Sequence, residues 1–278
     1  MLGAMRTARK TGADDLAQYR SAGREFCRQI AGQAGGAAAA RRNPAAALAR
    51  ITRLILSDRV AFFLRVEVRQ DRGALVLQGE SERRELAVLL EEVFRELGFA
   101  CVRNCLEIVP DLKRLPKPFG LVTATHIPTW SNPDLGGMGM DEALYGEPVY
   151  LLQELPQAWL VKTLSGYWGY AAKAGIRPVG KREFLSRFNG AAVVLAGNRE
   201  VGRAWVPAGA RLALLRWGQG AEALVRLPTG QSVKIAKRWL LRPEARPAVR
   251  QVLAEARQYL RAPYRLGGKN AREGIDCS

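Results

Sequence analysis

Apolar and polar positions first predict a compact α/β unit over residues 47–111. Apolar residues recur every three or four positions where a helix is predicted, and they alternate with charged residues where a half-buried strand is predicted. The longest apolar stripe stops just before Gly98, a residue type that commonly ends helices. In order, the predicted elements are a helix at 48–55, strands at 64–68 and 74–77, a helix at 86–97 and a strand at 100–109.

Residues 1–46 carry a different pattern. They are charged at first and then rich in alanine and glycine between residues 31 and 40. This composition lacks the large apolar side chains that fill a core, so a mobile lead-in is predicted.

The α-β-β-α-β order of residues 47–111, with Gln78-Gly79-Glu80 after the second strand, resembles a BON domain. The resemblance implies a module that binds phospholipid or another anionic envelope surface. A small packing domain without a ligand is the alternative. Residues 112–118 combine prolines with basic residues and are predicted to be a linker.

Residues 119–243 change to short strands separated by glycine turns, which is typical of small β-barrels. We predict one barrel at 119–185 and a second at 186–243. The first resembles a bacterial SH3 (SH3b) domain through Gly146-Glu147-x-Val149, Trp159 and Gly166-Tyr167-x-Gly169-Tyr170, and the second is a more divergent copy. The aromatic residues fit either a core or a ligand platform, and the sequence leaves both open.

Charge adds an expected partner to this picture. The 278 residues hold 43 basic and 26 acidic side chains, a formal net charge of +17. Such an excess predicts an anionic partner, which can be nucleic acid, anionic lipid or an acidic cell-wall polymer. The charge is interpreted as spread along the chain, and no nucleic-acid motif is recognised, so nucleic acid is the least favoured of the three.

The four cysteines do not predict a metal site, because no CxxC pair exists and no histidine lies near any of them. Cys101 and Cys105 are four residues apart on one predicted strand, about 13 Å in extended chain. That separation is too long for a disulfide, so free, buried thiols are predicted. No cofactor is predicted either.

From Arg246 the pattern becomes helical again, and this helix is predicted to end at Pro263. A glycine-rich stretch and an Asp-Cys-Ser triplet follow, written Tyr264-x-x-Gly267-Gly268-x5-Gly274-x-Asp276-Cys277-Ser278. This motif resembles the nucleophile segment of the NlpC/P60 cysteine peptidases, which cut peptidoglycan stem peptides. Residues 244–278 are therefore interpreted as the start of an incomplete catalytic domain.

The resemblance implies a multidomain α+β fold: a BON-like unit, two SH3-like β-barrels, and the first helix and nucleophile segment of a papain-like NlpC/P60 domain. SH3b modules ahead of this domain resemble the γ-D-glutamyl-L-diamino-acid endopeptidases. The expected partners are peptidoglycan stem peptides or released murein peptides.

The resemblance also assigns roles to individual residues. Cys277 matches the nucleophile, whose thiolate a helix N-terminus would favour, and a glycine-rich approach would let a peptide substrate lie close. Asp276 matches a carboxylate that pairs with the ammonium of a free N-terminal L-Ala. The other expected pocket residues are Ser278, Tyr264, Glu147 and Tyr167.

A cysteine peptidase of this type needs a histidine base, and the chain's single histidine is His126. We interpret His126 as a strand or loop residue of a different domain. The expectation is that the chain is truncated after the nucleophile and inactive by itself. The alternative function is a non-enzymatic envelope adaptor that uses the BON and SH3b modules.

The compartment is less clearly indicated. Residues 1–28 lack the apolar core of a secretory signal, and no stretch approaches the ~20 apolar residues of a membrane span. The expected place is the cell envelope, periplasm or exterior, with cytoplasmic recycling of wall fragments as the alternative.

Overall fold

The computed structural model describes residues 13–56, 62–189, 191–194, 199–201, 204–242, 248–257 and 259–277. The chain divides into two compact units, before and after the bond between Val109 and Pro110. Both helices and several sheets occur, which confirms the mixed α+β class. Across the described part of the chain, helices that combine the length and the apolar character of a membrane span are absent.

The first unit is a three-stranded sheet with four helices. Strand β2 is antiparallel to β1 and parallel to β3, and α4 connects β2 to β3. The elements are α1 (Ala13–Gln33), α2 (Gly36–Arg42), α3 (Pro44–Ile55), β1 (Leu64–Asp71), β2 (Ala74–Ser81), α4 (Arg84–Glu96) and β3 (Val102–Ile108). The predicted α-β-β-α-β order is thus present in α3 to β3, while its identity as a BON domain stays a prediction.

The prediction of a mobile lead-in over residues 1–46 is wrong for the part from α1 onward. Cys27, Ile30 and Ala31 of α1, and Ala34 directly after it, are buried in the same core as the sheet residues Leu75 and Leu77. Alanine is the best helix former, and its small side chain lets helices approach closely. The spacing 27-30-31-34 is that of one helix face, a signal that the alanine-rich composition obscured.

The burial of the cysteines also differs from the prediction. Cys101 and Cys105 are free, as predicted, but both are exposed. Cys105 lies on the outward-facing row of β3, where burial alternates along the strand. The buried cysteine is Cys27, whose pKa is raised to about 11 by burial and by the neighbouring carboxylate of Glu92.

The second unit contains two main sheets. The first has seven strands in the order β10-β4-β7-β8-β9-β5-β6. Its strands are β4 (Phe119–Val122), β5 (His126–Trp130), β6 (Gly139–Leu144), β7 (Pro148–Glu154), β8 (Ala158–Lys162), β9 (Trp168–Ala172) and β10 (Ile176–Pro178). A helix, α5 (Lys181–Asn189), then leads to the second sheet.

The second sheet has five strands in the order β16-β15-β14-β11-β17 and a separate pair, β12 with β13. The strands are β11 (Ala191–Val194), β12 (Arg199–Val201), β13 (Ala204–Val206), β14 (Arg211–Arg216), β15 (Glu222–Arg226), β16 (Ser232–Ala236) and β17 (Leu240–Leu241). Most strands predicted within 119–243 are therefore present. Their assignment to two SH3b domains stays a prediction.

A close backbone contact joins these two sheets at the end of β6. The amide of Arg211 donates to the carbonyl of Tyr145 at 2.9 Å. A Cβ on Gly146, whose φ is +76°, would lie 1.8 Å from the carbonyl oxygen of Arg211. Only glycine fits this position, because any side chain would overlap the backbone of β14.

The chain ends with α6 (Val249–Arg257) and a short hairpin of β18 (Lys269–Asn270) and β19 (Gly274–Ile275). The predicted helix is present. Its apolar residues face solvent, since Val249 is 74% and Leu253 53% exposed.

Candidate active site

The C-terminal segment, defined here as residues 263–277, folds back on itself. Its hairpin is closed by the side chain of Asn270, whose Oδ1 accepts the amides of Arg272 and Glu273 at 3.1 Å each. Asp276 returns to the start of the segment, where its Oδ2 accepts the amide of Gly267 at 3.1 Å. The Asp-Cys pair is therefore tied to the glycines that precede it in the motif.

The motif glycines are required by contacts inside the protein. A Cβ on Gly267, whose φ is +73°, would lie 2.8 Å from the amide nitrogen of Asp141 in β6. A Cβ on Gly268 would lie 2.4 Å from the carbonyl oxygen of Gly274. Gly267 therefore packs against β6 and Gly268 packs within the segment, while a role of these glycines in a substrate's approach stays a prediction.

Glu142 of β6 holds the segment in place. Its side chain is 1% exposed, and its Oε2 accepts the amide of Lys269 at 2.7 Å. The side-chain amide of Asn270 donates to the same carboxylate at 3.3 Å, and Nη1 of Arg265 lies 3.7 Å away. A buried carboxylate is costly unless it is paired and hydrogen-bonded, and here the C-terminal segment supplies those partners.

Asp141 forms a second anchor. The ammonium of Lys269 lies 2.8 Å from its Oδ1 and donates to the hydroxyl of Ser165 at 2.7 Å. The hydroxyl of Thr163 donates to the other oxygen of Asp141. The two adjacent acidic residues of β6 therefore bind both the backbone and the side chain of Lys269.

His126 lies beside the motif, and its assignment to a different domain is wrong. Its Nε2 is 2.9 Å from Oε1 of Glu273 and 3.8 Å from Oε1 of Glu142. Burial raises the pKa of Glu273, but the charges of His126 and Arg265 and their hydrogen bonds outweigh it, so this pKa is lowered overall. His126 is brought to this place by β5, which pairs with β6 at one edge of the seven-stranded sheet.

His126, Glu142 and Glu273 offer three ligand atoms within 4.8 Å of one another, a spacing that suits a metal ion. Arg265 already supplies a cation there, because its Nη1 pairs with both Glu142 and Glu273. Lys269 and Asn270 occupy further lone pairs of Glu142. This arrangement suits the attachment of the segment better than the binding of a metal.

A cavity of about 190 Å³ lies between β5, β6 and the start of the segment. Its walls combine carboxylates with apolar and aromatic groups, from Pro128, Thr129, Trp130, Asp141, Glu142 and Arg265. At about 30 Å³ of liquid volume per water molecule, the space suits several waters or one small polar group.

The expected nucleophile and its neighbours lie at the end of this segment. Cys277 is exposed and free, and the residues described around it are not helical. Tyr264 is 69% exposed and pairs with Ile275 through a β-bridge. Ser278 lies outside the described residues. The role of a helix N-terminus at Cys277 therefore stays a prediction.

The two residues expected from the first sheet lie around Asp141. Glu147 is buried and accepts the amide of Leu144 at 3.1 Å. Burial raises its pKa, and the charge of Lys269 partly opposes that rise. The carbonyl of Tyr167 accepts from Thr163, the residue whose hydroxyl also binds Asp141. Within the part of the chain that is described, hydrogen bonds or ion pairs from either residue to Cys277 are absent.

The residues that attach the segment were not predicted from the sequence. They are Asp141, Glu142, Lys269 and Asn270. A signal existed, since Asp141-Glu142 is an adjacent acidic pair between apolar residues in a strand of a strongly basic chain. Such a pair in a buried strand indicates partners that neutralise it.

Comparisons with known proteins gave structural neighbours only. No known family profile matches the chain, and no curated protein matches it. The similarity to an NlpC/P60 family protein from Bacillus cereus covers 57% of this chain and 68% of that protein, at 17% identity and a TM-score of 0.47. An NlpC/P60 endopeptidase from Photobacterium damselae subsp. piscicida is similar to 58% of this chain, at 15% identity and a TM-score of 0.40. This chain spans 41% of the Photobacterium protein's length.

Proposed function

We propose that this protein is a cysteine peptidase that hydrolyses the bond between D-Glu and the diamino acid in murein peptides. The observation that carries the proposal is the anchoring of the Tyr264-to-Cys277 motif on β6. Residues of the motif and residues of the seven-stranded sheet thereby belong to one polar site. An endopeptidase with SH3b modules would form its substrate pocket from residues of the motif and residues of such a sheet together.

Cys277 is the proposed nucleophile. Its thiolate attacks the γ-carbonyl carbon of D-Glu, the C–N bond breaks, and the amine of the diamino acid leaves with a proton. Water then hydrolyses the thioester and releases the D-Glu carboxylate. Cys277 is exposed, which gives a peptide access to the sulfur.

His126 is not the proposed base. Its Nε2 is held by Glu273 at 2.9 Å, and its Nδ1 lies 3.3 Å from the hydroxyl of Thr125. Both ring nitrogens therefore have partners other than Cys277. We assign His126 to holding Glu273, and the base of the reaction stays unassigned.

Asp276 is the proposed recognition group for a free N-terminal ammonium, with Tyr264, Ser278, Glu147 and Tyr167 around it. A carboxylate that faces an ammonium forms a charge-assisted hydrogen bond, which favours released fragments over intact cross-linked wall. Asp276→Asn is expected to lower kcat/KM for peptides with a free L-Ala and to leave an N-acetylated peptide unchanged.

The test of the nucleophile uses the protein expressed from its natural gene. Hydrolysis of L-Ala-γ-D-Glu-diaminopimelate is followed for the wild type, Cys277→Ala and Cys105→Ala. Removing a nucleophile should lower kcat by at least about a thousandfold. Cys105 is an equally free and exposed thiol in the first unit, so Cys105→Ala should keep wild-type activity. Activity that survives Cys277→Ala would show that the nucleophile is misassigned.

A non-enzymatic envelope adaptor is the second candidate. It is favoured by the concentration of exposed basic residues around the five-stranded sheet, where Arg216 and Lys234 on the sheet and Arg238 after β16 face solvent. A protein that binds isolated cell wall at moderate salt, and shows no Cys277-dependent hydrolysis, would support the adaptor.

A further inference from the structure

The basic charge of this protein is concentrated, contrary to the expectation that it is spread. Residues 199–242 contain nine arginines and lysines but only two carboxylates, Glu200 and Glu222. The excess in these 44 residues is therefore +7, out of +17 for the whole chain. A local excess of this size produces a positive potential that attracts anions.

The strand register brings some of these cations onto one row. Arg216 of β14 pairs with Leu224 of β15, which pairs in turn with Lys234 of β16. Arg216 and Lys234 are both exposed. They line an open groove of about 830 Å³ that continues along Gly218–Gly220. The groove is too open to enclose a small molecule, but it suits an extended chain.

Tryptophan rings hold further cations beside the groove. Nζ of Lys237 lies 5.4 Å from the ring centre of Trp217 and donates to the carbonyl of Gly218 at 2.8 Å. The guanidinium of Arg242 lies 4.6 Å from the same ring. A stacked cation has fewer rotamers to lose, so its contact with an anion costs less entropy.

Trp239 repeats this arrangement, with Arg199 at 4.5 Å and Arg238 at 5.4 Å from its ring centre. Each ring is thus already occupied by two cations. Proteins that bind single-stranded nucleic acid stack bases on open aromatic faces. These rings instead order the cations, which favours a polymer recognised through its charge.

The cations at the groove are available to bind an anionic partner. Among the described residues, no carboxylate lies within ion-pair distance of Arg216, Lys234 or Lys237. One acidic residue, Glu222, lines the groove, and it should weaken the binding of an anion. Elsewhere arginines do pair with carboxylates, as Arg177 does with Glu183 at 2.6 Å.

We propose that this basic groove, lined by Arg216 and Lys234 with Lys237 and Trp217 beside it, binds a linear phosphodiester polymer of the cell envelope. The choice of an envelope polymer rests on the proposed murein peptidase function. The groove would keep the enzyme on the wall while its active site acts on small peptides. The interaction uses no residue of the C-terminal segment.

The test is the affinity of the 278-residue protein for poly(glycerol phosphate), measured by fluorescence anisotropy at several salt concentrations. Each neutralised phosphate adds about 0.7–0.9 to the slope of log K against log salt. The triple variant R216Q/K234Q/K237Q should therefore bind at least about tenfold more weakly at 0.1 M salt, with a slope smaller by about 2. Glu222→Gln should bind more tightly than the wild type.

Three exposed arginines of the first unit provide the matched control. R42Q/R53Q/R69Q removes the same net charge from residues that do not line the groove, and it should keep nearly all the affinity. Lys234→Arg with Lys237→Arg keeps the charge and should bind as the wild type does, which separates loss of charge from loss of folding. Each variant is checked by circular dichroism.

Two outcomes would overturn the proposal. Equal losses in the groove variant and the control variant would mean that net charge alone attracts the polymer. Tighter binding of an oligonucleotide with the same number of phosphates would mean that the groove serves nucleic acid. Cys277→Ala leaves this binding assay unchanged, so a failure of the peptidase proposal is recognised separately.

Discussion

The two main sheets of the second unit use charge in opposite ways. The seven-stranded sheet buries carboxylates, since Asp141 is 5% and Glu142 is 1% exposed. The five-stranded sheet exposes cations along one row, including Arg216 and Lys234. Both sheets are built from short antiparallel strands around an apolar core. Their roles therefore follow from which charges are buried or exposed, because similar strand layouts can serve unrelated functions.

The difference also concerns the partner of each charge. The carboxylates of β6 are paired within the protein with Lys269 and Arg265, and Asn270 donates a hydrogen bond to Glu142. Arg216, Lys234 and Lys237 at the basic groove have no neutralising carboxylate within the described residues, and Lys237 lies over the ring of Trp217. A buried, paired charge organises its own chain, whereas an exposed, unneutralised charge is available to another molecule.

The largest effect is expected when the buried carboxylate is removed. Glu142→Ala leaves the backbone amide of Lys269 and the side-chain amide of Asn270 without their acceptor, and leaves Arg265 paired with Glu273 alone. A buried donor without its acceptor costs about 1–3 kcal/mol, so the two together should lower the free energy of attaching the C-terminal segment by more than any other change. Native-state hydrogen exchange of the Lys269 amide measures the change.

Glu222 offers the comparison on the other sheet. It is exposed on β15, so Glu222→Ala should change stability by less than about 0.5 kcal/mol. Similar destabilisation by both variants would contradict the distinction between a buried and an exposed carboxylate.

An intermediate effect is expected at Gly267. An alanine there must adopt a positive φ and also press its Cβ against the amide of Asp141, 2.8 Å away. Overpacking of this kind costs about 1–3 kcal/mol beyond the backbone strain. Exchange of the Lys269 amide again reports the loss.

Gly230 separates the cost of backbone strain from the cost of close packing. Its φ of +95° is also positive, but a Cβ there would meet no atom within 4 Å. Gly230→Ala should therefore show backbone strain alone, read from exchange of the Leu227 amide, which bonds to Gln231 at 2.8 Å. If both glycines gave equal losses, close packing on β6 would not be the reason for Gly267.

The smallest effect is a pH dependence with opposite signs at two glutamates. The raised pKa of Glu147 means that the folded protein holds its proton more tightly than the unfolded chain. Stability from this group therefore falls as pH rises above the ordinary value of about 4.3. The lowered pKa of Glu273 adds stability that is present above that value and is lost as pH falls below it.

Melting temperatures of Glu147→Gln and Glu273→Gln, recorded from pH 3 to 8 as differences from wild type, test both signs. The difference should become positive above about pH 4.3 for Glu147→Gln and negative over the same range for Glu273→Gln. Curves of the same sign would show that one of the two carboxylates is not in the environment described.

The sequence predicted elements well wherever one short pattern determines them. The apolar stripe that stops before Gly98 became α4, and the strands predicted at 64–68 and 74–77 lie within β1 and β2. Prediction failed where small residues form a core. Ala31 in α1 and Ala34 directly after it pack as apolar residues, although a glycine- and alanine-rich composition is also typical of mobile chain.

The candidate site was predicted only where its residues are adjacent in the sequence. Cys277 and Asp276 belong to a contiguous motif, so the sequence singles them out. The pairing of Glu142 with Lys269 and Asn270 spans more than 120 residues. The acidic pair in β6 indicates that partners exist, but a single sequence does not show which distant residues they are. His126 was misassigned because its neighbour Glu273 is equally distant along the chain.

The attachment of Lys269 and Asn270 to β6 limits how this protein can be shortened. A shortened protein made by deleting residues 119–178 would lose Asp141 and Glu142, and with them the surface on which the Asp-Cys pair is held. The deleted region would look dispensable, since Cys277, the proposed nucleophile, lies outside it. Protein engineers should therefore treat the first sheet of the second unit and the C-terminal segment as one indivisible part.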